Sequence, residues 1–553
     1  MTRLNREEPP QDSTLLRTLR PDLIGGSRLP AAFHGLEYGS GEPRVVRTEL
    51  LGRQRSVPLG EAVVFFAQMT DLQICDYESP GRLEFMEGFG SRQQLRNFLP
   101  AWRPQELLVL QACEAIIRTI NSCQQSLDTG AKLQVCLSTG DNLDNAQANE
   151  LEWFIGLMSG ARIRPGSGGP ELEGVQGSLW HDPGFWHPDR VDDEYKRRWG
   201  FPTLPWLLDQ ARTPFQASGL QPPWISCFGN HDGLVMGNSV PSPAYRELVL
   251  GPSKPVALAP GFNPLEHQHL FHCHPELYLT GRQQPVSPDS KRQIVGRREF
   301  IEAHLNAQGL PAGHGYSRAN LANNSAYSVF DDCPLVRFVL LDTTNMDGYF
   351  EGSIGVRQFR WLEQRLIEVS SRYFQSDGSS IQTREVKDKL VVIASHHGLR
   401  TLTNERADPD GLEDDQPRVT APRLRQLLHR FPNVVLWVNG HRHVNEIEPR
   451  YTTDGRGAGF WEVSTCAVAD WPCQMRLIEL TANADGSLSI LCTMVDHKAP
   501  AQWQSTDDQV LRLASLHRQL AANDPYSGDG QLRPGSLQDR NVELLIPAPF
   551  TIC

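Results

Sequence analysis

Two histidines one residue apart, in Gly440-His441-Arg442-His443, could hold a metal ion. They follow Val434-Val435-Leu436-Trp437-Val438, an apolar run that reads as a buried strand. On an extended strand end, residues two apart project the same way, so both imidazoles are expected to face one site. Four other polar clusters each stand just beyond an apolar run of their own. Asp71 and Gln73 follow Ala62–Ala67, and Asp141 follows Leu133–Leu137. Asn230, His231 and Asp232 follow Trp224–Phe228, and His396 and His397 follow Leu390–Ala394. Carboxylate, amide and imidazole together suit borderline divalent metals, and one shared carboxylate is what two ions about 3.5–4 Å apart require.

These clusters need a sheet to carry them. Strand-like runs at Ala62–Ala67 and Leu133–Leu137 flank a helix expected over 104–126, with Leu107, Leu110, Ile116, Ile117 and Ile120 as its apolar positions. Strand, helix, strand in that order implies a parallel pair, which brings both acidic clusters to one edge. Ser325–Phe330 and Leu335–Leu341 read as a hairpin through Asp331-Asp332, with Asp342 ending its second strand. Further helices are expected over 356–370, with Phe359, Leu362, Leu366 and Ile367 on one face, and after Thr420 as cap, with Pro422 in the first turn. Phe460–Val463, Met475–Leu480 and Leu488–Val495 read as closing antiparallel strands.

Residues 1–60 are expected to form an N-terminal extension packed on the core, 61–500 the principal α/β domain, and 501–553 a tail that is helical and then irregular. Two insertions, about 151–222 and 233–325, are expected to cap the active edge. The first, rich in Gly, Pro and Trp, reads as irregular rather than core.

The 553 residues carry 53 basic and 65 acidic side chains, and 53 − 65 gives a net charge of −12. That balance argues against a nucleic-acid partner, which wants a basic face. Small anionic substrates remain compatible with it, because a bound metal supplies its own positive charge. No apolar run approaches the roughly 20 residues that cross a bilayer, and the polar N-terminus lacks a signal-like core. The expectation is a cytoplasmic protein without membrane contact. The eleven cysteines are scattered and read as reduced thiols, in keeping with a reducing compartment. No feature fixes an oligomeric state.

In order and spacing, the clusters resemble the calcineurin-like metallophosphoesterase superfamily. Its pattern stands here as Asp71-Leu-Gln73, Gly140-Asp-Asn-Leu-Asp144, Gly229-Asn-His-Asp232, Ser395-His-His-Gly398 and Gly440-His-Arg-His443, spanning about 61–480. The resemblance implies a four-layer αββα sandwich of two mixed sheets flanked by helices, with two divalent ions at the sheet edge. One ion would be held by Asp71, Gln73, bridging Asp141 and His443. The other would be held by Asp141, Asn230, His396 and His441. His396 is preferred over His397, which could instead meet substrate, and Asp144 falls at an acidic position beside the ligands.

Gln73 stands where most members have His, in the manner of the superfamily's manganese-dependent ADP-ribose/CDP-alcohol diphosphatases. An amide oxygen favours Mn or Fe(II) over a strictly Zn site, with Cu an allowed alternative. Asp144 occupies the position of the purple acid phosphatases' metal-binding tyrosine, which argues against their Fe(III)–tyrosinate centre. The implied activity removes phosphate from a small or medium phosphorylated metabolite, a phosphomonoester or pyrophosphate, by attack of a metal-bridging hydroxide. Phosphodiester or nucleotide-diphosphate hydrolysis is the alternative, and a non-catalytic scaffold a more remote one. His231, oriented by Asp232, is expected to act as general acid or to polarise the leaving oxygen. Arg297 and Arg298 are candidates for a second phosphate, and His314, Tyr316 and Tyr349 for the cleft wall.

Overall fold

A computed structural model describes residues 12–22, 33–89, 101–407, 416–452, 457–527 and 532–552. Two mixed sheets with helices packed against them make a mixed α/β fold. In chain order its main elements begin with β1 (Val45–Arg47), β2 (Glu61–Met69), α1 (Val109–Ser122), β3 (Val135–Ser138), α2 (Ala148–Ser159) and β4 (Trp224–Ser226). Next come α3 (Arg297–Asn306), β5 (Ser328–Phe330), β6 (Val336–Leu341), α4 (Val356–Ile367), β7 (Leu390–Ser395) and α5 (Ala421–Leu428). The rest are β8 (Val434–Asn439), β9 (Glu446–Arg450), β10 (Phe460–Ser464), β11 (Gln474–Ala482), β12 (Ser487–Asp496), α6 (Gln509–Asn523) and β13 (Val542–Pro547).

The first sheet has seven strands in the order β1-β13-β12-β11-β2-β3-β4, and the second has six, β5-β6-β7-β8-β10-β9. β2, β3 and β4 run parallel, as do β6, β7, β8 and β10. Their C-terminal ends carry the polar clusters. Alternation along each strand sorts its side chains between two faces. On β2, Val64 and Phe66 join Phe338, Leu340, Val392 and Leu436 in one cluster fed by both sheets. Phe66 and Phe338 meet there edge to face, ring centroids 5.1 Å apart. The alternate residues Phe65, Ala67 and Met69 pack with Ile116 and Ile120 of α1, Phe154 of α2 and Leu516 of α6. On the second sheet, Val339, Leu341, Val391 and Ile393 pack with Leu362 and Leu366 of α4 and Leu424 and Leu428 of α5.

Four expectations need adjustment. The segment from 151 is not merely a cover: α2 and the buried Trp180 and Trp186 belong to the same cluster as β2. The C-terminal tail does not end irregularly, because β13 pairs with β12 on one side and β1 on the other. Apolar Val542, Leu544 and Ile546 supply the alternation that makes it a strand, a signal present in the sequence but short. β10 runs parallel to β8, and only its pairing with β9 is antiparallel. Thr420 stands at the N-cap of α5, yet its side chain accepts no capping hydrogen bond.

Among the described residues no helix is long and apolar enough to cross a membrane. The described cysteines are free thiols, buried except Cys273.

Several interior histidines tie the fold to pH. His304 of α3 is fully buried, its Nδ1–H donating to Phe300 O (2.7 Å) and its Nε2 facing Ser226 Oγ (2.7 Å). Burial lowers its pKa to about 3, and burial likewise lowers His517 to about 3. With folded values below the unfolded ~6.5, each histidine's contribution is complete above pH 6.5 and is lost as pH falls toward the folded value. The linkage for one such histidine amounts to on the order of 2 kcal/mol between pH 7 and pH 5. Chemical denaturation should therefore give a lower stability at pH 5 than at pH 7, with a shallower decline in His304→Gln. An unchanged slope in that variant would refute the assignment.

Candidate metal centre

The polar clusters meet at the rim formed by the C-terminal ends of the parallel strands. The turns that deliver them are not extended. Asp71, Gln73, Asp141, His441 and His443 all have left-handed backbones, with φ of 51°, 44°, 51°, 70° and 56°. For non-glycine residues this conformation costs about 1 kcal/mol or more each, so the surroundings must impose it. Backbone hydrogen bonds between turns do so: Asp71 N to Gly140 O (3.1 Å), Gln73 N to Asp141 O (2.9 Å) and Gly440 N to His396 O (3.1 Å). Two glycines permit the close approach. A Cβ at Gly440 would lie 2.4 Å from Asp71 Oδ2, and one at Gly229 would lie 2.2 Å from Asp141 Oδ1.

These turns curl, and His441 and His443, both at this rim, meet different neighbours. His441 Nδ1 lies 3.2 Å from His396 Nε2, whereas His443 Nε2 lies 3.1 Å from Asp71 Oδ1 and 3.5 Å from Gln73 Nε2. Asp141 stands between the two groups. Its Oδ2 is 3.0 Å from His396 Nε2, and its Oδ1 accepts from His231 N at 2.9 Å. Ligand-type atoms of Asp71, Asp141 and His396 all fall within 4.8 Å of one another.

Among the described residues, three oxygens at this rim are buried without a hydrogen-bond partner, Asp71 Oδ1, Gln73 Oε1 and Asn230 Oδ1, the first of them facing only the Nε2 of His443 at 3.1 Å. Leaving such an atom unpaired costs about 1–3 kcal/mol, and three in one place mark a site shaped for something that accepts their lone pairs. Their neighbours hold them in that orientation. Asn230 Nδ2 donates to Gly237 O (2.9 Å), turning its oxygen the other way, and Thr70 Oγ1 donates to Asp71 Oδ2 (2.7 Å). The donor set of carboxylates, amide oxygens and imidazoles fits one or two divalent cations.

The two adjacent histidines play different parts. His396 Nδ1–H donates to Thr139 O (3.0 Å), so Nε2, 3.0 Å from Asp141 Oδ2 and 3.2 Å from His441 Nδ1, is the ring nitrogen that faces the site. His397 uses both ring nitrogens, Nε2–H to Phe350 O (2.8 Å) and Nδ1 as acceptor from Thr343 Oγ1 (2.8 Å). It is fully buried, and one of its ring nitrogens lies within 4.8 Å of ligand-type atoms of His396 and His441, so His397 stands beside the ligand group with both nitrogens engaged by protein partners. Burial opposes charge throughout. It acts to raise the Asp141 carboxyl, but His396, His231 and His441 outweigh it and hold Asp141 well below the usual range. Burial, then His397 and His396, push His441 well down.

Other expected site residues have different work. Asp232 does not orient His231: its carboxylate accepts from Gly229 N (2.8 Å), Leu143 N (2.9 Å) and Asn142 Nδ2 (3.0 Å), tying two site loops together. His231 is oriented instead by a backbone carbonyl, its Nδ1–H donating to Asp144 O (2.6 Å). The Asp144 carboxylate itself is ion-paired to Arg82. Arg297 pairs with Asp342 (2.5 Å) and donates to Thr344 O (3.0 Å), bracing the end of β6. Arg298 is exposed. His314 stacks on Trp224 with centroids 3.6 Å apart, and Tyr316 Oη donates to Ser226 O (2.8 Å); both are buried against β4, not lining a cleft. Tyr349 stacks on His272 at 3.5 Å.

Sequence reasoning missed Asp470, whose Oδ2 accepts from His443 Nδ1–H at 2.5 Å. A lone acid in Cys466-Ala-Val-Ala-Asp470-Trp-Pro472 was the available signal, since an isolated carboxylate in an apolar stretch must have a buried partner. Arg103 and Arg533, which lie 3.0 Å and 2.6 Å from its carboxylate oxygens, gave none.

No family model and no curated protein matches this chain.

Proposed function

We propose that the chain is a dinuclear metal phosphohydrolase built as a four-layer αββα sandwich of the calcineurin-like metallophosphoesterase type. The observation that carries this is the set of partnerless buried oxygens on Asp71, Gln73 and Asn230, facing the same rim as the imidazoles of His396, His441 and His443. Asp71, Gln73, Asp141 and His443 would hold one cation, and Asp141, Asn230, His396 and His441 the other. Manganese, iron or zinc is the expected occupant. Paired cations would neutralise phosphoryl oxygens and acidify a water between them.

The chain's own residues supply the remainder. Asp141 places its charge between the two groups, and its Oδ1 fixes the His231 backbone through the amide. His231 holds a proton on Nδ1 for Asp144 O, so its Nε2 is the ring atom that can serve a departing oxygen. Its side chain is 19% exposed, placing it at the boundary between the buried ligands and solvent. A phosphorylated metabolite of small or medium size is the proposed substrate.

Protein loaded with Mn2+ and assayed for metal content should be offered p-nitrophenyl phosphate, bis-p-nitrophenyl phosphate and ADP-ribose. Turnover of the monoester or the pyrophosphate, abolished by chelation and restored by metal, is the expected result. Preference for bis-p-nitrophenyl phosphate would redirect the reading to phosphodiesters. Two bound ions with no turnover of any of the three would sink the hydrolase reading in favour of a binding role.

A further inference from the structure

Asp470 lies between arginines drawn from opposite ends of the chain. Arg103 Nε is 3.0 Å from its Oδ1, and Arg533 Nη1 is 2.6 Å from its Oδ2, the oxygen that also accepts from His443. All four side chains are buried, with Asp470 only 1% exposed. A carboxylate only accepts, so His443 carries its proton on Nδ1, and in the neutral ring the Nε2 lone pair is directed at Asp71 and Gln73.

Arg533 belongs to the segment after α6, and that segment is stitched to the His443 turn. Asn445 N donates to Arg533 O (2.9 Å), and Asn445 Nδ2 donates to Pro534 O (3.1 Å). A Cβ at Gly535 would lie 2.4 Å from Asn445 O, so the two backbones run in close contact. Arg533 Nη2 is itself anchored on Ser527 O (2.9 Å). On the other side, Arg103 also approaches Asp144 Oδ1 at 3.8 Å, the residue whose carbonyl orients His231. The two halves of the site thus share one buried charge network.

We propose that Arg533 and Arg103 are positioning residues which, by clamping Asp470, hold the His443 imidazole toward Asp71 and Gln73, so that the C-terminal segment completes one of the two cation subsites. This rests on the dinuclear reading of the site. Arg103 meets one oxygen of Asp470 and Arg533 the other, which fixes the carboxylate that accepts from His443 Nδ1–H. With one arginine gone, the carboxylate is free to turn and the ring loses its orientation. Outer partners of metal-bound histidines are typically worth about 10–100-fold in metal affinity.

The test uses the full chain, stripped by chelation and titrated calorimetrically with Mn2+ alone, with bound metal counted by atomic absorption. In Arg533→Met, which keeps length and removes charge, one of the two ions should bind about 10–100-fold more weakly while the other is unaffected. Arg533→Lys should recover part of the loss. Asp470→Asn, nearly isosteric and still able to accept from Nδ1–H, should weaken the same ion, and it decides the matter if Arg533→Met fails to fold. Far-UV circular dichroism of the metal-free variants controls for the fold. Both ions bound with unaltered affinity in these variants would overturn the clamp. Fewer than two ions taken up by the unsubstituted chain would overturn the dinuclear reading and this inference together.

Discussion

Asp141→Ala should cost at least about 10³-fold in kcat/KM and leave the protein unable to retain two metal ions, because several kcal/mol of charge stabilisation would disappear with them. The reason is positional. Asp141 is the carboxylate common to both groups of ligand-type atoms, with Oδ2 3.0 Å from His396 Nε2 and Oδ1 on the His231 amide. Only 1% of it is exposed, so solvent does little to screen its charge. Its removal leaves the His396 and His441 imidazoles, 3.2 Å apart, without the anion that balances a cation there. Asp141→Asn sharpens the experiment, since the amide keeps the shape and an oxygen for His231 N but not the charge. Metal loss in both variants, with circular dichroism unchanged, is expected. Two tightly held ions and activity within tenfold of the unsubstituted chain would remove the basis of the whole site.

His231→Ala should behave oppositely with respect to metal. Both ions are expected to stay, while kcat falls by roughly 10²–10⁴. His231 meets the ligand group through its backbone amide, which alanine retains, and its ring points outward from the Asp144 carbonyl. A proton donor matters most when the departing oxygen is basic. The defect should therefore be larger for an alkyl phosphate than for p-nitrophenyl phosphate, whose leaving group needs little protonation. An equal defect for both substrates would assign His231 to phosphoryl binding rather than proton transfer. Loss of either ion would make it part of the metal shell.

What could be read before the fold was known divides by the range of the interactions involved. Apolar runs closed by Asp71, Asp141, Asn230, His396 and His441 state both a strand and a polar terminus within a few residues. Local periodicity sufficed for β2, β3, β7 and β8 and for the residue types at their ends. Parallel pairing followed from the helix between β2 and β3, which leaves few other connections open. What separates His396 from His397 in their hydrogen bonding is not local, since the two are sequence neighbours just beyond β7. It depends on Thr139, Thr343 and Phe350, far away in sequence, which occupy different ring nitrogens.

By itself, then, the sequence determined which residue types end the strands, that they gather at one edge, and that their chemistry suits divalent cations. Tertiary structure alone decided how the turns curl into left-handed backbone, so that His441 and His443 address different neighbours. It also decided that Asp232 binds loops rather than His231, that His314 and Tyr316 are core, and that Asp470 and Arg533 stand behind His443. The physical reason is one of range. Strand and helix periodicity is fixed by backbone geometry within a few residues, whereas a buried polar atom finds its partner only after segments hundreds of residues apart have been brought together.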